Sequence, residues 1–128
     1  MSDRNAERAT GFLVRVEDSG VIRLTWDAGR RIDQGLAQKA MLAVDTLAGG
    51  RPCPLYVEIG GVLGLTRDGR EAFARPWSAS RLALVGRFPV DRIFVGLPLG
   101  ASPLRVPSRF FTSERAALDW LLDSASVA

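Results

Sequence analysis

The sequence contains no histidine, and it has only one cysteine, Cys53, and one lysine, Lys39, among 128 residues. Without histidine the chain lacks the usual general base at neutral pH and the commonest metal ligand. Catalytic triads built on histidine are therefore excluded, and zinc would find one of the several cysteine or histidine ligands that it needs. We predict no catalytic residue, no metal and no cofactor, and we expect that the protein is not an enzyme.

Long apolar runs are also absent. The segments LYV, LALV and IFVGL are far shorter than the roughly 20 residues of a membrane-spanning helix. The N-terminal MSDRNAERAT is polar and lacks the apolar centre of a secretory signal. Together with the single cysteine, these features predict a cytoplasmic protein without a membrane span.

An excess of one charge is lacking as well, since 17 basic and 14 acidic residues leave a net charge of +3. The arginines are scattered among acids, whereas a nucleic-acid-binding surface clusters them on one element. We expect no nucleic-acid partner.

The length suits a single domain, which we place at residues 11–123 between a flexible N-terminus at 1–10 and a C-terminal tail at 124–128.

Two β-rich runs, at about 12–17 and 21–26, surround the tripeptide DSG and predict an N-terminal hairpin. In the second run, apolar and polar residues alternate. This period places Trp26 toward the core and Arg23 and Thr25 toward water.

Helical spacing predicts about four helices in the rest of the chain. Asp33 caps the first helix, and Gly49 and Gly50 close it. Thr66 caps the second helix, and Pro76 ends it. Pro89 stands in the first turn of the third, and Thr112 or Ser113 caps the last. A β-strand at RIFVG is the competing interpretation of the third helix.

Short apolar strands at LYVEI, RLALV and RVPSRFF separate these helices. The order ββαβαβαβα predicts an α/β fold with a mixed sheet of about five strands, opened by the hairpin. Trp120 lies on the apolar stripe of the last helix, which we interpret as a lid on the sheet.

The glycine-rich stretch IGGVLGLT, residues 59–66, follows a strand and precedes a helix. Its backbone N–H groups could bind an anion, or its glycines could simply permit a tight turn. The lysine of a Walker loop is missing. Glu58 ends the preceding strand, and its carboxylate either binds a partner or faces water.

A second candidate surface is the apolar face of the third helix, which includes Phe94. Any part of this face that the sheet leaves uncovered would form a dimer surface or a lipid-sized groove. The candidate binding residues are thus Glu58, Gly60, Gly61, Thr66, Arg67, Asp68 and Phe94.

The hairpin FLVRVEDSGVIRLTW, the glycine turn after LYVEI and the closing PSRFFTSERAALDWL resemble the STAS-like family. This family comprises the anti-sigma factor antagonist fold and its relatives, including small bacterial STAS and CRAL-TRIO-like domains. The resemblance covers most of residues 11–123. In antagonist members, a serine or threonine at the start of the second helix is phosphorylated by a partner kinase. The matching stretch here is LTRDG, in which Thr66 supplies the only hydroxyl and Leu65 replaces the usual acid, so Thr66 is the phosphorylation candidate.

The resemblance implies a non-catalytic, regulatory protein-interaction module, and we expect its partners to include a second copy of the chain as a homodimer. The CRAL-TRIO-like relatives imply an alternative, in which the domain binds a small apolar, lipid-like ligand or a nucleotide.

Overall fold

The computed structural model describes residues 6–88 and 106–123. The elements in chain order are β1 Ala6–Ala9, β2 Phe12–Val16, β3 Ile22–Trp26, β4 Arg31–Ile32, α1 Gln34–Ala48, β5 Cys53–Glu58, β6 Gly64–Leu65, α2 Arg67–Phe73, β7 Ala79–Val85, β8 Ser108–Phe111 and α3 Glu114–Leu121.

Six strands form one mixed sheet in the order β1-β2-β3-β5-β7-β8. The pairs β1/β2 and β2/β3 are antiparallel, whereas β3, β5, β7 and β8 run parallel to one another. The carboxyl ends of these four parallel strands therefore share one edge of the sheet, here called the carboxyl edge. Ligand sites of open α/β sheets characteristically lie outside this edge.

The first face of the sheet packs against α1 and α2. Alternation along β3 buries Trp26 on this face, as the sequence predicts. The Asp33 side chain accepts a hydrogen bond from the Leu36 N–H at 2.9 Å and begins α1. Gly49 ends α1 with a φ of 65°, in the left-handed region that favours glycine. Both predicted ends of this helix are confirmed.

The second face is divided between an apolar and a polar half. The helix α3 packs on β5, β7 and β8, where Tyr56 and Ala83 meet Ala117 and Leu121. The polar residues of β2 and β3 occupy the other half. Of the functional candidates, Glu58 lies where this polar half meets the carboxyl edge, beside Thr25 and Arg23.

The α/β architecture is confirmed, but the sheet has six strands instead of about five. The additional strand is β1, which lies within the segment 1–10 that the sequence led us to expect as a flexible N-terminus. Its sequence, AERA, contains residues that are depleted in strands, so propensity does not reveal it. Main-chain pairing with β2, at an edge of the sheet, makes it a strand.

The structure decides two further details of the helices. Ser113, rather than Thr112, caps α3, and its hydroxyl accepts from the Ala116 N–H. The helix α2 ends at Phe73, three residues before Pro76. The described residues contain three helices, and the predicted third helix, with Pro89 and Phe94, lies outside them.

Candidate functional site

The structure places the predicted site residues in two neighbouring regions and leaves one undescribed. Glu58, Gly60 and Gly61 lie where β5 reaches the carboxyl edge. Thr66 caps α2, and Arg67 and Asp68 lie in its first turn. Phe94 lies outside the described residues.

The glycine turn, residues 59–66, is held by main-chain hydrogen bonds. The Val62 N–H donates to the Ile59 carbonyl at 3.1 Å, and the Leu63 N–H donates to the Arg30 carbonyl at 2.8 Å. Gly61 has a φ of 87°, a left-handed conformation that favours glycine, and its carbonyl accepts from the Gly29 N–H at 2.8 Å. The turn is thus a fixed part of the fold.

These bonds bear on the predicted anion site. The N–H groups of Val62, Leu63 and Thr66 all donate to backbone carbonyls, at 2.8 to 3.1 Å. Donors that are already paired within the chain are not available to a ligand without breaking those bonds. The arrangement therefore favours the interpretation of these glycines as a tight strand-to-helix turn.

Thr66 acts as the N-cap of α2, as the sequence predicts. Its Oγ1 accepts from the Gly69 N–H at 3.1 Å and lies 3.3 Å from the Ile32 carbonyl, to which it can donate. The Asp68 carboxylate, which is closer, accepts a short hydrogen bond from the single O–H of the same hydroxyl. The Thr66 N–H donates to the Ile32 carbonyl at 2.9 Å, so Thr66 connects α2 to the short strand β4.

Thr66→Ala is expected to lower the free energy of unfolding by about 1 kcal/mol, because the cap at Gly69 is lost. Thr46→Ala is a matched control, since Thr46 bonds the Leu42 carbonyl on the exposed side of α1 and caps nothing. Chemical denaturation of both variants checks this prediction. Equal stability of Thr66→Ala and the wild type would contradict the capping role.

A polar pocket opens at the carboxyl edge, between the ends of β3, β5 and β7. Its volume is about 160 Å³. The lining residues, which define the edge pocket, are Thr25, Trp26, Ala28, Glu58, Gly60, Val85, Gly86 and Arg87. Two of the predicted site residues, Glu58 and Gly60, therefore share a cavity with Thr25 of β3 and with Arg87, which follows β7.

Glu58 belongs to a charged cluster centred on Arg23. The Arg23 guanidinium is 2.6 Å from the Glu114 carboxylate and 3.1 Å from that of Glu17, but 3.9 Å from Glu58. Arg15 pairs with Glu17 at 3.6 Å. The cluster contains two guanidinium groups and three carboxylates, so its net charge is negative by one. Glu58 is the carboxylate farthest from Arg23, so the excess negative charge lies at Glu58.

The environment of Arg23 differs from the sequence prediction, which placed its side chain in water. The side chain is only 15% exposed, because its guanidinium lies 4.1 Å from the centroid of the buried Tyr56 ring. Burial alone lowers the pKa of Arg23, but the hydrogen bonds to Glu114 and Glu17 outweigh it, and the net shift is upward. Arg23 is therefore a fixed positive charge.

Sequence reasoning did not identify Thr25 and Arg87 as site residues. They are distant from Glu58 along the chain and line the same pocket only because β3, β5 and β7 are neighbours in the sheet. A signal was nevertheless present: Arg87 follows the apolar strand RLALV, just as Glu58 ends LYVE. Polar residues at the ends of successive parallel strands converge on one edge.

An apolar groove on the first face bears on the alternative of a lipid carrier. It is lined entirely by apolar side chains, among them Trp26, Phe73 and Trp77, and its cavity volume is about 30 Å³. Since one water needs roughly 10–15 Å³ on this measure, the part of the groove that residues 6–88 and 106–123 form has no room for a lipid chain.

Within residues 6–88 and 106–123, no group of three or more His, Cys, Asp or Glu side chains could hold a metal ion. None of the helices there combines the length and the apolar character needed to cross a bilayer.

One family model and two crystal structures are similar to this chain. A family model described as a domain of unknown function, DUF7793, matches residues 14–125. No curated protein matches the chain. One similar crystal structure is that of an uncharacterized protein of the DUF3478 family, with a SpoIIAA-like fold, from Shewanella loihica PV-4. It is 17% identical, with a TM-score of 0.63, and the match covers 94% of this chain and 98% of that one.

A second crystal structure is that of a protein with unknown function from Arthrobacter sp. FB24. It is 39% identical, with a TM-score of 0.34, and the match covers 87% of this chain and 92% of that one.

The SpoIIAA-like neighbour confirms the predicted STAS-like fold. Its sequence identity is too low to transfer any activity, so it supports the architecture alone. The family model spans nearly the whole described chain. The chain therefore belongs to the DUF7793 family and has a SpoIIAA-like, that is STAS-like, fold.

Proposed function

We propose that this protein is a non-catalytic, regulatory STAS-like module that binds another protein, including a second copy of itself. The supporting observation is that Leu63 is 57% exposed on the glycine turn, although hydrogen bonds hold the backbone of that turn in place. The single cysteine supports the proposed cytoplasmic location, where thiols stay reduced.

An exposed apolar side chain on a fixed turn is well suited to a docking contact. Because the turn is already ordered, it would lose little conformational entropy when a partner binds to it. Arg67 and Asp68, both exposed, lie beside the turn at the start of α2. We define the turn surface as Gly61, Leu63, Arg67 and Asp68, an apolar residue with a polar rim.

The charges of the turn surface support self-association. A two-fold dimer places the same patch of both subunits in contact, so the patch must be complementary to itself. Arg67 and Asp68 provide one charge of each sign, which allows each to face the opposite charge of the second copy. Leu63 would then lie at the centre of the contact.

Leu63→Asp is expected to weaken this self-association by at least about tenfold, because it places a charge in the apolar centre of the contact. Sedimentation velocity over a range of concentrations measures the effect. Leu42→Asp is the matched control, since Leu42 is 68% exposed on α1, outside the turn surface. The control variant should associate like the wild type.

Two results would contradict the proposal. One is a wild-type protein that stays monomeric at all concentrations and retains no other protein on an affinity column. The other is an equal loss of association in Leu63→Asp and Leu42→Asp, which would place the contact elsewhere.

Thr66 remains the proposed phosphorylation residue. A phosphoryl group on its Oγ1 would replace the hydroxyl that bonds Gly69 and Asp68. The phosphoryl group is itself negatively charged, so it would repel the Asp68 carboxylate. Phosphorylation at this position would therefore change the rim of the turn surface directly.

A further inference from the structure

The edge pocket carries charges of opposite sign on its walls. Glu58 is the last residue of β5, and Arg87 follows β7 by two residues, so that both line the same cavity of about 160 Å³. An engineered cavity of about 150 Å³ binds benzene. The edge pocket therefore has room for a ligand of about that size. A ligand with one positive and one negative group would match the charges of Glu58 and Arg87.

The Glu58 carboxylate has capacity for such a ligand. Its side chain is 43% exposed, and its contacts with Thr25 Oγ1 and with Arg23 are long, at 3.5 and 3.9 Å. Glu114 and Glu17 meet the charge of Arg23 at shorter distances. Since a carboxylate offers several acceptor positions, Glu58 can accept N–H groups from an ammonium ion while keeping these contacts.

The absence of a side chain at Gly60 leaves room for Arg87 at the pocket. A Cβ atom on Gly60 would lie 2.9 Å from both Cγ and Nε of Arg87. The Arg87 side chain thus lies directly over Gly60, two residues along the chain from Glu58. Arg87 has another interaction of its own, but a guanidinium has five N–H donors and can bind a carboxylate in addition.

We propose that the edge pocket binds a small α-amino acid as its zwitterion, with the ammonium group at Glu58 and the carboxylate at Arg87. An α-amino acid carries one charge of each sign on neighbouring groups, and alanine has as many non-hydrogen atoms as benzene. A ligand with a single charge would pair with Glu58 or with Arg87, but not with both. The proposal concerns a ligand of the free protein and does not rest on the proposed self-association.

The test is a titration of the labelled full chain, followed by its amide NMR spectrum, with L-alanine, ethylamine and propionate as separate probes. Ethylamine lacks the carboxylate, and propionate lacks the ammonium group. L-alanine is expected to shift the amide signals of Thr25, Gly60 and Gly86 saturably. It should bind at least about tenfold more tightly than either singly charged probe.

Substitutions then assign the two charges. Glu58→Gln and Arg87→Gln are each expected to weaken alanine binding by at least about tenfold. Glu71→Gln and Arg75→Gln remove the same charges at exposed positions in and after α2, and should leave binding unchanged. Gly60→Ala should also weaken binding, because the new Cβ displaces the Arg87 side chain.

Three results would overturn the proposal: no saturable shift with alanine, equal affinity for alanine and a singly charged probe, or unchanged alanine binding in both Glu58→Gln and Arg87→Gln. Dispersed NMR spectra show in each case that the variant is folded. Leu63→Asp should bind alanine like the wild type, so failure of this proposal is distinguishable from failure of the proposed self-association.

Discussion

Trp120→Ala is expected to lower the free energy of unfolding by about 3 kcal/mol, toward the lower end of the values for deleting a large aromatic side chain. Trp120 is half-buried where α3 meets the second face. Its ring centroid is 5.7 Å from that of Phe111 and 5.0 Å from the Arg81 guanidinium carbon. The backbone carbonyl of Trp120, which alanine retains, accepts a hydrogen bond from the buried Arg81, so the expected loss comes from the ring contacts. Urea unfolding followed by circular dichroism measures the change.

The control is Leu122→Ala, at the C-terminal end of the same helix. Leu122 is 48% exposed, so its truncation should cost less than about 1 kcal/mol. A loss for Trp120→Ala that is no larger than this would show that α3 is peripheral, contrary to its interpretation as a lid. The expected difference between the two variants isolates the contact of Trp120 with the sheet.

Gly69→Ala is expected to destabilise the protein by about 1 to 3 kcal/mol, although helix propensity alone favours alanine over glycine by up to about 1 kcal/mol. The reason is the close approach of α2 to β4. A Cβ atom on Gly69 would lie 2.5 Å from the Ile32 carbonyl oxygen and 3.1 Å from Leu65 Cδ1. Because the nearest atom belongs to the backbone, α2 would have to move. Thermal and denaturant unfolding both measure the effect.

Gly35→Ala provides the matched control in α1. A Cβ atom there has Asp33 Oδ1 as its nearest neighbour, at 3.7 Å, and the position is exposed. This variant should be neutral or more stable by up to about 1 kcal/mol. If Gly69→Ala is stabilised to the same extent, α2 does not need its close contact with β4.

The contrast between these two glycines shows how far sequence reasoning reaches. Both stand in the first turn of a capped helix, and the caps Asp33 and Thr66 were identified from their position before a helical pattern. Capping depends on neighbours within a few residues, so the local sequence contains the required information. The packing of Gly69 against Ile32 joins two distant segments, and no local pattern reveals it.

The candidate site divides in the same way. Glu58 and Gly60 stand beside a recognisable strand and glycine turn, and both prove to line the edge pocket. The pocket itself depends on the neighbouring strands that bring Thr25 and Arg87 to the same edge. Likewise, Arg23 alternates with core residues along β3, a pattern that predicts a side chain in water. In the structure its guanidinium contacts Tyr56, Glu17 and Glu114.

By itself the sequence determined the α/β class, the STAS-like resemblance, the ends of α1, the cap of α2 and the absence of histidine-based chemistry. These features follow from composition, period and short-range hydrogen bonding. Only the tertiary structure decided the sixth strand, the burial of Arg23, the need for glycine at position 69 and the placement of Glu58 and Arg87 in one pocket. Each of these depends on contacts between residues far apart in the chain, which form only when the sheet assembles.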